Sequence, residues 1–107
     1  MDKMPTVYIP HGGGPCFFME WDPPETWNSL EAYLRRLPDD IGQKPQSILM
    51  ISAHWEGEDF QIQGQPAPEL LFDYYGFPDH TYELTYPAAG SPTLAARVSG
   101  LMAGAGH

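Results

Sequence analysis

Positive charge is scarce in this chain: five Lys and Arg stand against fourteen Asp and Glu in 107 residues, a formal net charge of −9. Nucleic acid and anionic membrane surfaces both require basic patches, so the shortage argues against either as a partner. Cysteine is nearly absent. Cys16 stands alone, which excludes a disulfide within the chain and gives no sign of an oxidising compartment. Long apolar runs are missing too. No stretch nears the ~20 residues that a membrane-spanning helix needs, and the opening MDKMPTVYIP lacks the apolar core of a signal peptide. A cytoplasmic location is the expectation that these absences leave. No internal repeat, low-complexity tract or linker divides the chain, so residues 1–107 are expected to form a single domain.

What is present is a globular composition, with 42% hydrophobic and 13% aromatic residues. Thr6 to Pro10 (TVYIP) is short, apolar and ended by proline, and predicts a buried strand. Asp22-Pro23-Pro24-Glu25 reads as a helix start, with Asp22 as cap and Glu25 in capping-box position. Trp27, Leu30, Leu34 and Leu37, with Tyr33 alongside, then make one apolar helix face that Pro38 is expected to stop. Ser47 to Ser52 (SILMIS) is apolar without alternation, the pattern of a strand covered on both faces of a parallel sheet.

Strand, helix and strand make a right-handed βαβ unit. Phe60 to Ile62 offers a further short strand, and Pro66 to Pro87 predicts an aromatic, proline-rich loop with at most one helical turn. A last helix opens at Ser91-Pro92 and shows Leu94, Val98, Leu101 and Met102 on one face. The expected fold class is therefore α/β, with a largely parallel or mixed sheet and flanking helices. Two or three strands make a small sheet for that architecture. The domain is thus expected to be incomplete, a part of a larger domain or one completed by a homo-oligomer or a complementing chain.

Two loops carry candidate chemistry. His11 opens HGGGP after the first predicted strand, and His54 sits in SAHWE after the second. In open α/β sheets ligands bind beyond the carboxyl ends of the strands, so matched positions there would set two imidazoles at one edge, within reach of one ion. The glycines behind His11 let backbone or substrate approach closely. A lone strand-end histidine is ordinarily a hydrogen-bonded structural residue, and it is the pairing of two that points to metal. Non-haem iron sites commonly join two histidines to one carboxylate, but neither Glu56 nor Asp73 can be picked as the third ligand from sequence.

His80 in the aromatic loop and the terminal His107 are weaker candidates, and Cys16, between His11 and Phe17-Phe18, reads as a small buried thiol. HGGG also supplies oxyanion-hole amides in some α/β hydrolases. That chemistry needs a G-x-S-x-G elbow, which the chain lacks, since Gly90-Ser91-Pro92 opens a helix.

The stretches PTVYIPHGGGPCFF, ILMISAHWE and DYYGFPDHTYELTYPAAGSP, in this order and spacing, resemble the LigB-type class III extradiol ring-cleavage dioxygenases. Within that family the 4,5-DOPA dioxygenase-like branch is nearest, and the similarity runs from Pro5 to about Gly106. The resemblance implies an α/β fold, a non-haem Fe(II) or Zn(II), and opening of a catecholic ring with O₂. It gives His11 and His54 the role of metal ligands. It places Phe77 and Tyr82 of GFP-x-x-x-Y beside the substrate pocket, and Gly12 and Gly13 are expected to touch substrate through the close approach that their bare backbone allows. Family domains are longer, so the chain corresponds to their N-terminal portion, and the acid/base histidine and remaining ligand are expected beyond His107. The alternative is a catalytically inactive fragment that binds metal or serves only structurally.

Overall fold

The computed structural model describes residues 3–107. They fall into two units, Met1–Ile48 with Tyr74–Glu83 and Leu49–Asp73 with Leu84–His107.

The first unit is organised by α1, Asn28–Ile41. Its predicted apolar face is real: Leu30, Tyr33, Leu34 and Leu37 are all half-buried, as is Trp27 just ahead of them. Both ends differ from expectation. Asp22 does not cap the helix. Turns intervene, with Thr26 N–H donating to the Pro23 carbonyl at 3.2 Å and Asn28 N–H to that of Glu25 at 3.1 Å. The reason lies in the prolines. A capping side chain accepts from the second or third helical N–H; Pro24 in the second place has none to donate, which leaves Asp22 only the Glu25 N–H.

Pro38 does not stop the helix either. It sits in the last turn, and Gly42 ends the helix in the left-handed region (φ 74°), its N–H donating to the Pro38 carbonyl. Proline removes one bond to the preceding turn, while the residues after it resume the helix. Glycine takes the positive φ at no steric cost.

The second unit contains α2, Pro92–Gly104. Here the predicted start holds: Ser91 Oγ accepts from Leu94 N–H at 3.1 Å, and Pro92 occupies the first turn. Leu94, Val98 and Met102 are half-buried, whereas Leu101 is 65% exposed, so the apolar stripe is narrower than its sequence pattern. Gly90, just before the helix, donates its N–H to the Pro66 carbonyl at 2.9 Å. A Cβ there would lie 2.0 Å from the Gln65 carbonyl oxygen, so only glycine admits this approach.

The expected α/β sheet is overturned. Among the described residues there is no strand and no sheet; the elements are α1, α2 and two short 3-10 turns, Cys16–Phe18 and Asp79–Tyr82. Thr6 to Pro10, Ser47 to Ser52 and Phe60 to Ile62 all run through irregular backbone. Nor are their side chains covered on two faces: Ile48, Met50, Ile51 and Phe60 are about as open as surface residues, at 72%, 68%, 87% and 74% exposure. The physical reason is that a strand is defined by its ladder. Apolar, β-branched composition favours extended backbone, but the bonds that make a strand come from a neighbour ~4.8 Å away. Among the described residues no neighbour pairs with these runs. The single helical turn expected in the aromatic loop is the 3-10 turn at Asp79–Tyr82. No helix among the described residues is long and apolar enough to cross a membrane.

Candidate functional site

His11 belongs to the first unit and is exposed. Its Nδ1 lies 2.9 Å from the Gly12 carbonyl oxygen. A carbonyl can only accept, so Nδ1 is the donor, and the neutral form of the ring has its lone pair on Nε2. The glycines that follow serve close packing. Gly12 (φ 72°) has no room for a Cβ, which would meet Cys16 Sγ at 2.8 Å and the Trp27 ring at 3.2 Å. Gly14 (φ 50°) lies flat against Phe77, whose ring would be 2.9 Å from a Cβ. Gly13 is exposed, with Trp27 at ordinary contact distance. Cys16 is buried, its thiol 3.9 Å from the His11 carbonyl, and its own carbonyl accepts from Trp21 Nε1 at 2.7 Å. The thiol is a packed donor beside the histidine's backbone, consistent with its reading as a small buried thiol.

The aromatic loop backs this turn. Tyr74 packs edge-on to Phe77 (centroids 5.2 Å apart) and against Tyr82 at 5.1 Å. Phe77 N–H donates to the Tyr82 hydroxyl at 3.4 Å, and the Tyr74 hydroxyl donates to the carbonyl of buried Thr81. His80 Nε2 donates to the Phe18 carbonyl at 2.7 Å, which ties the loop to the segment after HGGGP. With the proton on Nε2, that nitrogen is a structural donor and not a metal ligand. His80 thus acts as a clasp, beside an open depression lined by Phe17, Phe18, Met19, Glu20 and Pro78.

His54 belongs to the second unit. Ser52 to Trp55 forms a turn in which His54 N–H donates to Ser52 Oγ at 3.2 Å. Its Nδ1 stands 3.2 Å from Asp73 Oδ2, with both side chains open to solvent at 60% and 51% exposure. A carboxylate accepts from the ring, so here too Nδ1 is the donor, and the neutral form of the ring has its lone pair on Nε2. Sequence spacing did not reveal this pairing. Asp73 reads as a turn-capping residue, and only the course of the chain brings it to His54. Glu56 remains an exposed loop acid, and His107 packs edge-on to Phe60 at 5.4 Å. Among the described residues no three His, Cys, Asp or Glu side chains gather as a ready cage for an ion. The sequence-predicted ligands thus lie in two histidine turns, one in each unit.

The chain is 36% identical over 104 residues to the dioxygenase tasH of Hapsidospora irregularis, covering 92% of this chain and 32% of that protein. It is 34% identical over 101 residues to the 4,5-DOPA dioxygenase extradiol of Beta vulgaris, covering 94% of this chain and 36% of that protein. It belongs to the 4,5-DOPA extradiol dioxygenase family. The enzyme of that name from Escherichia coli K12 is 32% identical, again over 94% of this chain and 34% of its own length. The chain therefore spans about one third of the length of the curated family members it matches. No family profile matches it, and no solved structure does. The matched residues extend over both units, so the family relationship takes in the HGGGP turn, the SAHW turn and the aromatic loop together.

Proposed function

We propose that this chain contributes the first part of the site of a non-haem metal-dependent extradiol dioxygenase, an oxidoreductase that opens a catecholic ring with O₂. His11 and His54 are its metal ligands, and the metal is Fe(II) or Zn(II). The reading is supported by the names of the family members and by one observation about the donors themselves. Both rings face an oxygen acceptor at Nδ1, Gly12 O for His11 and Asp73 Oδ2 for His54. Both rings therefore donate from Nδ1, the arrangement in which a neutral imidazole carries its lone pair on Nε2, the atom a metal would take. Imidazole suits either metal.

His11 and His54 would hold such a metal, which would supply Lewis-acid polarisation of the catechol oxygens and a centre for O₂ chemistry. The chain's own part is to present neutral imidazoles and to shape the surface against which the ring lies. Gly12 and Gly13 keep the backbone beside His11 bare, and Phe77 and Tyr82 supply aromatic wall in the same unit. Acid weakens such a site, because a protonated imidazole cannot ligate.

The test is an anaerobic Fe(II) and Zn(II) titration of the 107-residue chain, with the His11→Ala/His54→Ala double variant as control. Stoichiometric binding that disappears in the control is the expected outcome. Binding that the control retains removes both histidines from the site. Oxygen uptake with a catechol under Fe(II) then separates an active chain from one that only binds metal.

A further inference from the structure

Asp73 and His54 lie far apart in sequence, yet their Oδ2 and Nδ1 atoms are 3.2 Å apart on the surface of the second unit. Stability is a poor explanation for the contact. Both side chains are more than half exposed, and pairs of this kind contribute only about 0–1 kcal/mol. What the contact does fix is chemistry. A carboxylate at Nδ1 selects the tautomer that leaves Nε2 as the electron-pair donor, and it restrains rotation of the ring about its bond to Cβ. The backbone of the same residue is held independently, His54 N–H donating to Ser52 Oγ at 3.2 Å. Main chain and ring are thus set by different partners.

We propose that Asp73 is a positioning residue for His54, holding its proton on Nδ1 and aiming Nε2 at the metal. The proposal rests on His54 being a ligand, as proposed above. A metal-binding histidine almost always donates its second ring N–H to a carboxylate, carbonyl or water, and loss of that partner weakens metal binding by about 10–100-fold. His11 achieves the same protonation pattern through the carbonyl of its own neighbour, Gly12. A substitution cannot easily remove that acceptor. His54 depends on a side chain, which makes it the member of the pair whose tautomer a single substitution can change.

The test combines two readouts on the 107-residue chain. Long-range ¹H–¹⁵N NMR of the metal-free protein, at a pH where both rings are neutral, should show His54 protonated at Nδ1. Asp73→Ala should move His54 mainly to the Nε2–H form that an unrestrained imidazole prefers, leaving the His11 signals unchanged. Asp73→Asn, whose carboxamide oxygen still accepts, should keep the original tautomer. In a Zn(II) titration Asp73→Ala should bind about 10–100-fold more weakly than the parent, and Asp73→Asn should recover most of that loss. An unchanged His54 tautomer in Asp73→Ala overturns the proposal. So does undiminished Zn(II) affinity in Asp73→Ala when His54→Ala has lost it. If the parent binds no Zn(II), the metal reading fails instead, and the tautomer shift still decides whether Asp73 sets the ring.

Discussion

The two histidine turns solve the same chemical problem with opposite surroundings. HGGGP is packed: Gly12 lies against Cys16 and Trp27, Gly14 against Phe77, and the buried thiol points back at the His11 carbonyl. SAHW is open: Ser52, Ala53, His54 and Trp55 are all exposed, and the turn is held by Ser52 and, at the ring, by Asp73. In the first, packing sets the backbone that follows the histidine, so the residues that matter are ones with no side chain. In the second, two polar side chains set the histidine, and neither is buried. A packed turn ties its geometry to the stability of its unit, whereas an open one can be altered with little effect on folding.

Stability measurements can break that contrast. The largest effect is expected at Gly14, which has both a positive φ and a ring 2.9 Å from the missing Cβ. Gly14→Ala should lose about 3 kcal/mol, read as a fall in the urea midpoint, from a left-handed backbone penalty of about 1–2 kcal/mol and overpacking of about 1–3. Gly76→Ala sharpens the result: Gly76 has a φ of 78° but nothing within 4 Å of a Cβ, so only the backbone penalty of about 1–2 kcal/mol should remain. Equal losses at the two glycines would show that Phe77 does not press on the HGGGP turn.

In the open turn, Ser52→Ala removes the acceptor of His54 N–H and should lower stability by about 0.5–1 kcal/mol. Asp73→Ala should change it least, by no more than about 0.5 kcal/mol, because the pair is solvated. A loss at Asp73 as large as that at Gly14 would make the open turn a structural clasp, and the contrast between the two would fall.

Helices were legible in the sequence because their signals are local. The three- and four-residue spacing from Trp27 to Leu37 located α1, and Ser91-Pro92 located the start of α2. The errors came where one local signal met another. Pro24 removed one of the two donors that Asp22 could cap, and the glycine at position 42, not Pro38, carries the terminating conformation. The sheet failed for a different reason. TVYIP and SILMIS have strand composition, but no composition supplies the neighbouring chain that a ladder needs.

Of the candidate site, His11, His54 and the aromatic loop were legible as motifs. The clasp made by His80 onto the Phe18 carbonyl was not, since a loop histidine looks the same whether it binds an ion or a backbone oxygen.

By itself, the sequence determined the family, the acidic balance, the lone thiol, the two helices and the two histidine-bearing turns. These follow from residue types, their order and spacings shorter than a few turns. Tertiary structure alone decided that the apolar runs stay unpaired, that Gly90 must be glycine because the Gln65 carbonyl passes over it, and that Asp73 reaches His54. Each of these depends on atoms distant in the chain meeting within a few ångströms, and side-chain chemistry at one position carries no record of which distant atom will arrive.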